Sequence, residues 1–246
     1  MSFSRSTIDL WKGQMKIPVW KIFCTLVICS IVIIACHSLA VLSYHFTPGG
    51  FPESITALFN VNAEANLPTW YSSALLSFVA LAAFFLFLLE SGQPRAQQMG
   101  KNFWFGFGMV YLFLSLDESA TVHEFINALT GIKWVYLYAP FGALFFLACL
   151  YYCFVVDRNN VALRYYLVGG LILYALGGLV CEWISYNFHL KYALQQIEYV
   201  LEEWLELIGT TLVLMGCLRE VNHKFTRLLL RETAQVRALP IERKPL

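Results

Sequence analysis

The sequence predicts an all-α, polytopic integral membrane protein: a six-helix bundle of transmembrane helices with both termini cytoplasmic. Three observations predict it. Only 13% of the 246 residues are charged and 59% are hydrophobic, whereas a soluble domain carries roughly 25% charged residues. The apolar residues gather into runs of roughly twenty or more, each long enough for a ~30 Å hydrocarbon core at 1.5 Å per residue. Fifteen of the seventeen Lys and Arg fall on one side of the resulting topology, leaving only Lys133 and Lys191 on the other. Under the positive-inside rule that side is the cytoplasm.

The spans follow in order. The first covers about 18–45; Lys12, Lys16 and Lys21 precede its apolar stretch, which continues past Cys36 to Tyr44 and so reads as an uncleaved anchor helix rather than a leader. An acidic loop with Gly and Pro leads to the second, about 68–89, where Pro68 suits a first helical turn and Trp70 with Tyr71 marks a water boundary. The third covers about 102–126 and the fourth about 134–156. Asp157-Arg158-Asn159-Asn160 is a turn, and the fifth and sixth cover about 163–188 and 193–218. Residues 1–218 thus form one transmembrane domain. The basic tail, 219–246, sets Phe225 and Leu228–Leu230 among Lys224, Arg227 and Arg231, a pattern suited to an amphipathic helix on anionic headgroups or to a solvated tail. The expected location is the cell (inner) membrane.

Composition also excludes. The basic residues flank apolar spans and form no aromatic-interleaved patch, so no nucleic acid is an expected partner. All seven cysteines lie within apolar segments without a Cys-x-x-Cys, which excludes a disulfide framework or zinc knuckle.

Two stretches break the apolar rule. One is Leu114 to Glu124, containing Asp117, Glu118, Ser119, Thr121 and His123; the other carries Glu198, Glu202, Glu203 and Glu206. An ionisable group in a bilayer core costs roughly 2.5–3.5 kcal/mol on insertion scales, so such clusters face a protein interior or a water-filled cavity. The topology puts both stretches, with Glu182, His37, Ser72 and Ser73, in the outer half. Glu198, Glu202 and Glu206 recur every four residues along one helical stripe. On a straight third helix Asp117, Thr121 and Glu124 share a face, and Glu118 points away from His123. No Lys or Arg occupies the outer half of any span, so protons or a cation must balance the carboxylates.

Carboxylates with imidazole suit a divalent metal ion such as zinc, iron or manganese, held between facing helices. The candidate ligands are Asp117, His123, Glu202 and Glu206, with Glu182, Glu198, Glu118 and His37 behind them. His45 and His189 read as interfacial, and Glu64 with Asn66 as a lid or a plain re-entry turn. As an enzyme, the protein would use the metal to activate water or oxygen against a lipid-like substrate arriving laterally, with Glu118 or Glu203 as general base. The alternatives are a hydrogen-bonded acid network that specifies packing or contacts partner membrane subunits, and a proton- or cation-conducting path. Ser119-x-x-x-His123 resembles the Ser and His arrangement of ceramidase-type intramembrane zinc hydrolases over five residues, with Glu202-x-x-x-Glu206 where those enzymes carry a late His-x-x-x-His. Glu202-Glu203 is similar to the Glu pair of CAAX-type membrane proteases, without the arginine that follows it there and in a different motif order. Neither similarity assigns a family.

Overall fold

The computed structural model describes residues 17–47, 50–91, 98–188 and 190–238. Arg5, Lys12, Lys16, Arg95, Arg243 and Lys244, which carry part of the orientation, and His189 lie outside them. Among the described residues every regular element is helical: α1 (Val19–Phe46), α2 (Glu53–Leu58), α3 (Leu67–Ser91), α4 (Gln98–Ala120), α5 (Val122–Thr130), α6 (Trp134–Tyr151), α7 (Val161–Ala175), α8 (Glu182–Asn187) and α9 (Tyr192–Ala238). Wider π-helical turns extend α6 over Tyr152–Val156 and join α7 to α8 over Leu176–Cys181.

Four segments are long and apolar enough to cross a membrane: Val19–Tyr44, Leu67–Ser91, Trp134–Val156 and Val161–Asn187. Their free faces are apolar, as Leu81 and Leu88 on α3 and Phe141 and Leu144 on α6 show by exposures above half, a surface compatible with lipid. α4 and α9 are long enough as well but carry the acids and the polar termini.

Two expectations change. The third segment is not straight: α4 stops at Ala120, and Thr121 takes a left-handed conformation (φ 52°, ψ 40°) before α5 begins. A β-branched residue is rarely found there, and side-chain hydrogen bonds described below hold it. The last helix, for its part, does not end near 218 but runs unbroken through 47 residues to Ala238. Its later residues are rich in Arg, Glu, Leu and Gln, good helix formers that need no apolar environment.

α9 is the central column, packed against α1, α3, α7 and the π turn that follows α7. Glycines let it approach closely. A Cβ on Gly170 of α7 would lie 2.6 Å from the Gly209 carbonyl, and one on Gly209 would lie 2.6 Å from the Gly170 carbonyl. α4 packs chiefly on α3, with Trp104, Phe107 and Tyr111 fully buried; Phe103 stacks on Tyr152 at 3.8 Å, and the Trp104 indole donates to the Tyr152 hydroxyl (3.1 Å). α1 and α6 lie at the margin, with 17% of each most apolar window buried.

The bundle has two polar ends. At one, Asn222 of α9 accepts from the Ile17 N–H (3.0 Å) and donates to the Ile17 carbonyl (2.9 Å). Nearby, buried Glu90 and Glu220 both receive Lys224, and Asn160 donates to Glu220 (2.6 Å). Burial works against the Lys224 charge, but these two carboxylates hold its ammonium above the ordinary lysine range. The opposite end carries the acids.

Candidate functional site

The segment between α2 and α3 is fixed by its own side chains. The Asn66 amide donates to the carbonyls of Asn60 (2.6 Å) and Ala63 (2.7 Å), and its oxygen accepts the Thr69 N–H (3.2 Å), capping the start of α3. Ala65 takes the left-handed conformation this path requires (φ 57°). His37, 2% exposed in α1, accepts the Val61 N–H on Nδ1 (3.3 Å) and anchors the segment from the other side. His37 therefore spends a ring nitrogen on the loop. Glu64 is held half-buried at the tip.

The break at Thr121 brings the third segment to meet it. Leaving the helical path frees the His123 N–H, which donates to Asp117 Oδ1 (2.8 Å), and the Tyr138 hydroxyl donates to the same oxygen (3.2 Å). The other Asp117 oxygen lies 3.3 Å from His123 Nδ1, while His123 Nε2 faces Glu64 Oε1 at 3.9 Å. Trp134 packs against the imidazole, with ring centroids 5.3 Å apart. Beneath Asp117, Ser115 is bonded to both Ser73 (3.1 Å) and Ser77 (2.7 Å), which pins α4 to α3.

Glu64, His123 and Glu124 each present a donor atom within 4.8 Å of the others, a geometry that can hold a metal ion. Asp117 stands behind it: a carboxylate on one ring nitrogen orients the imidazole so that the other can coordinate. Burial raises the pKa of Glu64; the imidazole of His123 opposes that shift, and Glu124 and Asp117 reinforce it.

A cavity of about 1380 Å³ opens below this group, and the acids converge on it. Asp117, Glu118 and His123 line it from the third segment, Glu182 from α8, and Glu202, Glu203 and Glu206 from α9. The surface that the α9 glutamates retain is the cavity's. Gly177 and Gly178 in the π turn make room for them, since a Cβ there would lie 2.8 Å from Glu206 Cγ and 2.4 Å from Glu206 Oε1, respectively. Among the described residues no Lys or Arg lines the cavity. Its other walls are apolar, among them Phe145, Phe146, Leu171 and Leu179.

Glu198 does not join the lining; it is buried between α8 and α9, where Ser185 donates to Oε2 (2.8 Å). Glu118 and His123, expected to point apart on a straight helix, border the same cavity because of the break. Sequence reasoning missed Tyr138, placed Glu124 on the face of Asp117 without counting it as a ligand, and read Glu64 as a lid or a plain re-entry turn. The available signal was topological, since the loop carrying Glu64 and the end of the third span fall at the same level.

The protein defined by this fold and site is thus an all-helical chain with apolar helices of membrane-crossing length and a His/Glu group able to hold a metal. It belongs to the family described as Domain of unknown function (DUF8692), which matches residues 24–221. No curated protein and no solved structure matches the chain.

Proposed function

We propose that this chain is a six-span protein of the cell (inner) membrane, with both termini cytoplasmic, and that it holds a divalent metal in the outer half of the bilayer to act on a lipid-like substrate. α4 with α5, and the first part of α9, are the third and sixth spans; their acids are tolerated because they face the cavity rather than lipid. The observation that carries the metal is the convergence of Glu64, His123 and Glu124 within 4.8 Å, backed by Asp117 on the second ring nitrogen. Zinc, iron or manganese fits an oxygen-rich set with one imidazole.

A metal held there lowers the pKa of bound water and polarises a carbonyl or phosphoryl oxygen. The protein's own part is to orient the imidazole through Asp117, close the mouth with the Glu64 loop, and provide Glu118 or Glu203 as the group that moves a proton. Glu202, Glu206 and Glu182 line the cavity with further carboxyl oxygens that a cation can meet.

Metal analysis of the purified, detergent-solubilised protein tests this. The expected result is about one equivalent of zinc, iron or manganese, reduced at least tenfold in His123→Ala and in Glu64→Gln. Sub-stoichiometric metal, unchanged by both substitutions, would overturn it. Cation or proton flux in liposomes, lost in Glu206→Gln, would instead favour a conducting protein.

A further inference from the structure

The cavity reaches the flank of the molecule as well as its acidic mouth. α6 packs mainly against α5, α7 and its own π extension, and between Trp134 and Tyr151 only Val135 and Cys149 are buried. Phe141 and Gly142 of α6 line the cavity, as do Leu176 and Val180 of the π turn after α7, and all four are exposed. An exposure of 74% at Phe141, on a residue that also lines a cavity, marks an opening beside it. Both edges of that opening belong to segments long and apolar enough to cross a membrane. Leu179, half-buried, stands in the gap: its Cδ1 lies 3.8 Å from where a Cβ on Gly142 would be. The absence of a side chain at Gly142 keeps the slot wide.

Behind Leu179 the slot leads to carboxyls. The neighbouring Gly178 is so close to Glu206 that a Cβ there would strike Oε1. Glu202 and Glu203 lie on the same stretch of α9, one turn away, and line the same space. The volume of about 1380 Å³ exceeds the ~300–1,000 Å³ of ordinary small-molecule sites, and Phe145, Phe146 and Leu171 make its walls apolar. An occupant must therefore satisfy grease and carboxyl oxygens together. A phosphate or carboxylate head brings only acceptors and meets no Lys or Arg among the described lining residues. A primary ammonium brings three donors, no acceptor, and the opposite charge that a buried carboxylate needs.

We infer that the cavity binds a single-chain amphiphile with a primary ammonium head, held among Glu202, Glu203 and Glu206, while its alkyl tail leaves through the slot between Gly142 and Leu179. This names the class of the lipid-like substrate proposed above and rests on that reading for its role, though the binding itself needs no metal. The head is selected by the charge it supplies, and the tail by the apolar gap beside α6.

The test uses the full-length protein in phosphatidylcholine vesicles. Photoreactive probes share one long alkyl chain with a mid-chain diazirine and differ only in the head: primary amine, alcohol or phosphate. Labelling of the peptides containing Phe141 and Leu179 is divided by that of the exposed face of α1 around Ile28 and Val32, which corrects for partition into the bilayer. The amine is expected to exceed the alcohol by about tenfold, the scale of a hydrogen bond to a charged group, and to exceed the phosphate by more. Glu203→Gln combined with Glu206→Gln should bring the amine down to the alcohol. Gly142→Trp should block the slot to every probe, and Leu179→Ala, which only removes atoms, should raise their labelling. Equal normalised labelling by the amine, alcohol and phosphate in the wild type, or labelling that neither slot variant changes, would overturn the proposal. His123→Ala separates the two readings: an amine preference that persists in a protein without metal loses only the metal centre, and a metallated wild type without the preference loses only the ammonium site.

Discussion

The two polar ends of the bundle bury the same chemical group in opposite ways. Around Lys224, buried Glu90 and Glu220 each meet a cation, with Asn160 donating to the second. At the other end Glu118, Glu202, Glu203 and Glu206 share a cavity that no Lys or Arg lines among the described residues. A buried carboxylate with a partner belongs to the architecture, because removing the partner strands a charge. Carboxylates gathered around a void leave a place for something the chain does not itself supply. The contrast lies in the company the acids keep, not in how many there are.

The comparison can be broken most decisively at Lys224. Lys224→Ala should destabilise the protein by about 3–5 kcal/mol, the usual consequence of stranding buried charge, seen as a lower midpoint of thermal unfolding in detergent. Next is the helix contact that frames both ends. Gly209→Leu should cost about 1–3 kcal/mol, an overpacking effect, because a Cβ there meets the Gly170 carbonyl at 2.6 Å; a neutral result would mean that α7 and α9 can separate freely.

Tyr138→Phe removes a donor from Asp117 and should cost about 1–2 kcal/mol, with faster hydrogen exchange across 117–123. In contrast to Lys224→Ala, Glu206→Gln should leave stability unchanged or raise it by up to about 1 kcal/mol, since it removes one of several carboxyl groups crowded together without a basic partner. A loss as large as that of Lys224→Ala would show the two ends to be alike. The smallest effect concerns pH. Glu64 has a raised pKa in the folded chain, so the folded state holds its proton to higher pH than the unfolded one. Stability contributed by the neutral form is present below the ordinary glutamate range and is lost as pH rises through the folded value. In chelator-treated protein, hydrogen exchange of the 59–66 loop should quicken with pH over that window, and Glu64→Gln should flatten the response.

Much of the fold was legible because apolar runs and their polar punctuation are long-range signals. The second, fourth and fifth spans match helical segments to within a few residues, since lipid-scale hydrophobicity and helix limits coincide there. The last helix runs past the apolar stretch because hydropathy reports where apolar surface ends, not where hydrogen bonding ends, and Arg219 to Ala238 continue the backbone ladder. At the site, the periodicity of Glu198, Glu202 and Glu206 gave a stripe, but the side chain of Glu198 turns to Ser185 instead of the cavity. The break at Thr121 had no sequence signature. It arises from tertiary bonds to Asp117 that outweigh the poor left-handed propensity of threonine. A straight-helix projection therefore separated Glu118 from His123 and set Glu124 beside Asp117 and Thr121 instead of beside His123 and Glu64.

The two hydrogen bonds between Asn222 and Ile17 join positions 205 residues apart. In a chain made from its N-terminus onward, α1 is complete long before its clasp exists. The start of that helix must wait, backbone unsatisfied or hydrated, until the final helix has been synthesised to residue 222. Closure of the bundle is thereby assigned to the last element produced, and a chain halted before that residue would hold its first helix loosely, open to capture by quality control.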